Sequence, residues 1–222
     1  MARRSLLLGG TGLLLGGCLT SPIVGNAFDV AKTQVFGYPD LPLQRSTISK
    51  LPYASMSARV GKGPQALLLL ARGQGGEQHW VSSLDRSVLT LRGGRVVKTF
   101  GFPENLKNTR NQGGDPVEGK LHKLAQTGPP WRHTRYLDLD LGPHYGLAVD
   151  SVFHSLGPRK VRIVELDFDT ILLREQNSAR TLNWKFENQY WVDPADGFVW
   201  KSTQTIARSF PPVHFQILKP PA

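Results

Sequence analysis

One thiol dominates the chemistry available to this chain. Cys18 is the only cysteine, and it closes the run Leu15-Gly16-Gly17-Cys18 after an apolar stretch that begins at Leu6. Arg3 and Arg4 stand ahead of that stretch. A charged start, a short apolar segment and a small-residue cleavage site make the layout of an export signal. A cysteine directly after the small pair is the pattern of a bacterial lipobox. The expected reaction places a diacylglycerol on the sulfur, removes residues 1–17 and acylates the new amino terminus. The apolar stretch is shorter than the roughly 20 residues needed to span a bilayer, so attachment is expected through acyl chains. One chain alone holds weakly, whereas two or three give lasting anchorage. Leu19 follows the cysteine. Lipoproteins kept at the inner membrane of enteric bacteria carry an aspartate there, so the sequence predicts an outer-membrane anchor and a periplasm-facing body.

Two further groups of residues could do chemistry. Trp131-Arg132-His133-Thr134-Arg135-Tyr136 mixes cations with rings. Arg132 or Arg135 could grip the carboxylate of an acidic sugar while Trp131 stacks on a ring, or the run could be an edge strand with solvated arginines. Asp138 with Asp140, and Asp167 with Asp169, are carboxylates two residues apart. On a strand each pair shares a face, as glycoside hydrolysis by two flanking acids would need; a solvated strand face has the same spacing. No two of the six histidines stand at a metal-ligand spacing with a third near them. Gly-x-Ser-x-Gly and phosphate-cradling glycine loops are absent. These residues predict neither catalytic groups, a metal nor a cofactor.

The elements that must carry these residues read mostly as strands. With 40% hydrophobic residues among 222, the chain can build a core. After the leader, residues 18–44 read as a tether with a short helix over Asn26 to Val35, and residues 45–222 as a β domain. A helical turn over Arg45 to Lys50 is expected to stop at Pro52. Strands follow at Ser55 to Val60, Gln65 to Arg72, His79 to Leu84, Ser87 to Leu91 and Val96 to Phe100, with Gly93-Gly94 as a hairpin turn. Asn105 to Gly119 is polar and reads as a loop. His133 to Leu141 alternates, with Thr134, Tyr136, Asp138 and Asp140 on one face and His133, Arg135, Leu137, Leu139 and Leu141 on the other. Tyr145 to Phe153 and Lys160 to Leu173 read as strands. Arg180 to Val192 and Phe198 to Ile206 form the clearest hairpin, around Asp193-Pro194-Ala195-Asp196-Gly197. Its first strand puts Trp184, Phe186, Asn188, Tyr190 and Val192 on one face. Val213 to Leu218 closes the domain. The expected class is mostly β, with coiled antiparallel sheets forming a barrel or sandwich and one or two short helices at the start.

The formal net charge of +10 suits polyanionic partners. Export leaves acidic polysaccharide and anionic lipid as candidates and disfavours nucleic acid. Flat apolar edge strands would also allow a homodimer.

Taken in order, the lipobox, Leu51-Pro52-Tyr53-Ala54-Ser55, Val60-Gly61, Trp80, Asp85, Gly94-Arg95, Trp131, Tyr136, Asp138, Tyr190-Trp191-Val192-Asp193, Gly197, Val199-Trp200-Lys201-Ser202-Thr203-Gln204 and Ile217-Leu218-Lys219-Pro220 resemble the YjbF/GfcB family of outer-membrane lipoproteins. The resemblance covers nearly all of the chain after the leader. It implies an all-β domain of coiled sheets and a part in making, exporting or retaining surface polysaccharide, beside export and assembly proteins. It supplies no catalytic residues, and only Cys18 takes over a defined role. The leading expectation is thus an accessory protein that binds polysaccharide or its export machinery. One alternative is a lipid or lipoprotein carrier with a half-barrel apolar groove, suggested by the tryptophan-bearing hairpin and its Asp-x-x-x-Gly turn. Another is a polysaccharide-modifying enzyme using the paired aspartates.

Overall fold

A computed structural model of the chain describes residues 40–118, 123, 130–142 and 144–221. Cys18, the leader and the helix expected at Asn26 to Val35 lie outside the described residues. Among the described residues one short α-helix, α1 (Arg45–Ser49), precedes the strands. These are β1 (Ser55–Val60), β2 (Gln65–Gln74), β3 (Glu77–Ser82), β4 (Val88–Arg92), β5 (Arg95–Phe100) and β6 (Leu106–Asn111). They continue as β7 (Trp131–Leu139), β8 (Leu147–Ile163), β9 (Leu166–Ala179), β10 (Trp184–Val192), β11 (Val199–Gln204) and β12 (Val213–Lys219).

The strands form one antiparallel sheet in the order β5-β4-β3-β2-β1-β12-β11-β10-β9-β8-β7-β6. Every pair but one joins neighbours in sequence. The exception, β1 with β12, sets Val60 opposite Val213 and Met56 opposite Ile217. The sheet curls into a nearly closed barrel whose two edges, β5 and β6, follow each other in the chain and meet at a seam. Side chains bridge that seam. The Leu106 amide donates to Thr99 Oγ1 at 2.9 Å, and the Phe102 amide donates to Asn105 Oδ1 at 3.1 Å. Edge backbone groups are thereby satisfied without a strand ladder.

Alternation places the core inside. Met56, Leu68, Trp80, Leu89, Leu91, Val213, Phe215 and Ile217 are buried and pack together. The start of β5 is tied across the barrel to β11. Gln204 of β11 accepts from the Val96 amide at 3.0 Å and donates to the Gly94 carbonyl at 2.7 Å. A second apolar cluster lies on the opposite face of the sheet, where Leu218 meets Ile48 of α1 and Val161 and Ile163 of β8. Arg45 fastens α1 there, donating to the carbonyls of Leu218 (2.7 Å) and Ile163 (3.1 Å). The end of the expected tether is already docked: Asp40 pairs with Arg59, and the Leu41 amide donates to Gln65 Oε1 at 2.8 Å.

Two expected boundaries differ. Asn105 to Gly119 is not all loop, since β6 occupies its start. A register shift between Leu106 and Asn108 breaks the alternation. Leu106 and Thr109 are the buried residues, three positions apart, so the strand gives no period-two signal. The segment expected as one strand from Lys160 to Leu173 instead contains the β8–β9 turn. Val164 and Glu165 both adopt positive φ, 41° and 69°, where Gly or Asn is the usual signal. β8 also runs on through the gap left between the expected strands at Tyr145 to Phe153 and Lys160 to Leu173, with a bulge between Ser155 and Pro158.

Candidate polysaccharide groove

Trp131, Arg132 and Arg135 all lie on β7, and alternation separates them. Arg135 turns inward and is 3% exposed. Its guanidinium donates to Glu175 Oε1 at 2.8 Å, Ser151 Oγ at 2.6 Å and Asn177 Oδ1 at 2.9 Å. It is therefore an interior residue, and the expectation that it grips a sugar from the surface is corrected. The reason is electrostatic. A carboxylate placed at the same depth by β9 gives the buried cation a partner. Trp131 shares Arg135's side of the strand but stands at its end, 44% exposed. Arg132 points to the outer face.

The carboxylate that holds Arg135 also holds Arg95. Glu175 is fully buried and accepts from Arg95 at 2.9 and 3.1 Å, from Asn188 Nδ2 at 2.8 Å and from the Tyr190 hydroxyl at 2.9 Å. Asp115 takes two further Arg95 bonds, at 2.5 and 3.1 Å. Two arginines and two carboxylates balance in charge. Burial pushes the Glu175 carboxyl up, but Arg135 and Arg95 outweigh it and hold the group far below the ordinary carboxylate range. Asp115 is likewise raised by burial and brought below its usual value by Arg95. The network is closed to solvent and ties β5, β7, β9 and β10 together.

On the other face of the sheet, β7 to β10 carry an open groove of about 570 Å³. It is built from two neighbouring rungs. Arg132 of β7 lies opposite Val152 of β8, Val152 opposite Gln176 of β9, and Gln176 opposite Glu187 of β10. The next rung runs Thr134, Asp150, Ser178 and Lys185. Strands about 4.8 Å apart make each rung roughly 14 Å across. Arg180 closes one side, 3.5 Å from Asp150, and Thr134 donates to Asp150 at 3.0 Å. Cations thus stand near both sides, with the Gln176 amide and Ser178 hydroxyl between them, and the two carboxylates that also line the groove, Asp150 and Glu187, are paired with Arg180 (3.5 Å) and Arg174 (3.8 Å). That combination offers hydrogen bonds to sugar hydroxyls and charge to sugar carboxylates. Arg132 is the one sequence candidate in this groove. Gln176, Ser178, Arg180 and Lys185 were hidden, because only the strand registers reveal that they share its rungs.

Of the paired aspartates, Asp138 and Asp140 hold structure. Asp138 accepts from Arg110 at 3.1 Å and from the Gly146 amide at 2.7 Å. Asp140 accepts from the Asn105 amide at 2.7 Å and its Nδ2 at 2.8 Å. Asp167 and Asp169 are exposed on β9 beside Arg162 and Lys160. The two pairs are on different strands and engage different partners. The half-barrel shape is corrected as well: the sheet curls nearly closed, and side chains fill most, though not all, of its inner face.

The family described as "Group 4 capsule polysaccharide lipoprotein gfcB, YjbF" matches residues 28–218. The chain is 31% identical to the lipoprotein YjbF of Escherichia coli K12 over 210 residues, 93% of each chain. It is 27% identical to the lipoprotein GfcB of the same organism over 218 residues, 98% of this chain and 99% of GfcB. The crystal structure of the lipoprotein YmcC from Escherichia coli K12 shares the fold, with a TM-score of 0.71 at 23% identity, over 93% of this chain and all of that one.

Proposed function

Because the chain belongs to the YjbF family of group 4 capsule polysaccharide lipoproteins, we propose that it works in the bacterial envelope as a capsule accessory protein that binds acidic polysaccharide rather than transforming it. In this reading Cys18 carries the acyl chains. They seat the protein on the periplasmic face of the outer membrane, beside the export machinery, where outgoing polymer passes. The groove over β7–β10 is the contact surface. The observation that carries the reading is the pair of rungs, in which Arg132 and Lys185 stand at opposite edges with Gln176 and Ser178 between them, while the carboxylates Asp150 and Glu187 are ion-paired with Arg180 and Arg174, on a sheet face backed by the Glu175 network. Preorganised groups of this kind lose little entropy on binding a polymer.

The test uses the full chain in detergent micelles, titrated with polygalacturonate and with neutral dextran. Polygalacturonate should bind, and binding should weaken as salt rises. The double variant Arg132→Ala, Lys185→Ala should weaken it at least ten-fold without altering thermal unfolding. Equal binding of dextran, or no effect of the double variant, would sink the assignment.

A further inference from the structure

The inner face of the barrel leaves a gap among its large side chains. Ala58 on β1 lies directly opposite Ala66 on β2, in a wall otherwise furnished by Met56, Leu68, Trp80 and Leu89. Two small residues in register leave space that Leu or Met would fill. The result is an apolar cavity of about 360 Å³, floored by Ala58, Ala66, Leu68 and Leu89. Phe102 and Phe210 wall it, edge to face with ring centres 5.6 Å apart. It opens beside Leu84, which is 64% exposed.

The chemistry of the lining selects the ligand. Arg59, Ser82, Asp85 and Ser87 reach the cavity, but Arg59 pairs with Asp40 and the other three serve their own loop. The Leu84 amide donates to Ser82 Oγ at 3.2 Å, and the Ser87 amide donates to Asp85 Oδ1 at 3.0 Å. No cluster of polar groups converges there as a sugar or nucleotide would require. Size narrows the class further. An apolar cavity of about 150 Å³ accepts benzene, so about 360 Å³ accommodates roughly fourteen carbons in proportion. Exposed Lys62 and Arg86 each adjoin a lining residue in sequence and would stand near an anionic head group. Membership of a lipoprotein family puts such molecules within reach.

We propose that the cavity under Phe102 and Phe210 is a binding site for one fatty-acyl chain. The site is separate from the polysaccharide groove and stands or falls independently of it. Two sources share this chemistry, a membrane phospholipid and the acyl groups expected on Cys18. The full chain is reconstituted in phosphatidylcholine vesicles containing a phosphatidylglycerol with a diazirine at its acyl terminus, then irradiated and mapped by peptide mass spectrometry. Adducts should concentrate on peptides carrying Leu84 to Leu89 or Phe102. Ala66→Leu and Ala58→Leu should each reduce them at least ten-fold, with thermal unfolding showing that the variant is folded. If the acylated chain resists labelling but Cys18→Ala accepts it, the chain's own acyl group is the occupant. Labelling that ignores both alanine variants, or none in either the acylated or the Cys18→Ala chain, would overturn the proposal.

Discussion

Glu175 sits where a lone charge would be intolerable, and two guanidiniums make it tolerable. Replacing it by glutamine leaves Arg95 and Arg135 with Asp115 as the remaining carboxylate of the network. Breaking a buried pair in this way costs about 3–5 kcal/mol, which Glu175→Gln should show as a lower urea midpoint at pH 7. The same residue sets an acid dependence. Its folded pKa lies below the ordinary 4.5, and that of Asp115 below 3.8. Groups depressed on folding contribute stability that is present above their unfolded values and is lost as pH falls towards their folded ones. His133 and His214, lowered by burial from 6.5, contribute an earlier decline, because the unfolded chain takes up their protons first. The wild-type urea midpoint should therefore be flat from about pH 7 to 9, fall gently below about 6.5 and fall steeply below about 4.5. Glu175→Gln should keep the gentle phase and flatten the steep one. A variant that retains the full steep phase would show that other carboxylates set the acid limit.

Hairpins carry the fold at the next scale, and the β4–β5 turn is the most constrained of them. Gly94 has φ +96°, and a Cβ there would stand 2.5 Å from Val199 on β11. Gly94→Ala therefore meets backbone strain and overpacking together, and should cost about 2–4 kcal/mol in urea unfolding. Val199→Ala in the same chain should recover part of that loss; if it does not, strain alone accounts for the effect. Gly93-Gly94 was readable as a turn from sequence because glycine is the signal for positive φ. The β10–β11 hairpin was readable for a related reason. Asp193 accepts from the Ala195 amide at 2.9 Å and the Gly197 amide donates back to its carbonyl at 3.0 Å, while Trp184, Asn188, Tyr190 and Val192 face inward as alternation requires. Val164 and Glu165 carry no such signal, so the β8–β9 turn was misplaced. Arg135 defeated the reading of the site for another reason. Alternation groups it with Leu137 and Leu139 on one face, yet an arginine invites a surface role until its partner Glu175, forty residues on, is known to lie beside it. Long-range register is what a single sequence withholds.

For the whole molecule the decisive feature is a barrel left unsealed between two strands that are consecutive in the chain. Ladder pairing runs through ten sequential neighbours and the β1–β12 pair, then stops at β5 and β6. There the Leu106 amide relies on the Thr99 hydroxyl, and across the interior the Val96 amide relies on the Gln204 side chain. Such bonds satisfy donors but lack the mutual support of a ladder, and β6 contributes two buried residues, Leu106 and Thr109, to hold itself in place. The opposite wall differs. β9 and β10 pair over nine residues from Ala179 with Trp184 to Ile171 with Val192, and Glu175 fixes them from within. Opening should therefore begin at the seam while the β9–β10 wall persists. Amide hydrogen exchange at neutral pH should find β6 at least ~100-fold less protected than β9 and β10. Gln204→Leu, which removes the cross-barrel bonds to β5, should lower protection in β5 with little change in β9. Protection of β6 equal to that of β9 would mean that the barrel opens only as a whole, with the seam as strong as a paired edge.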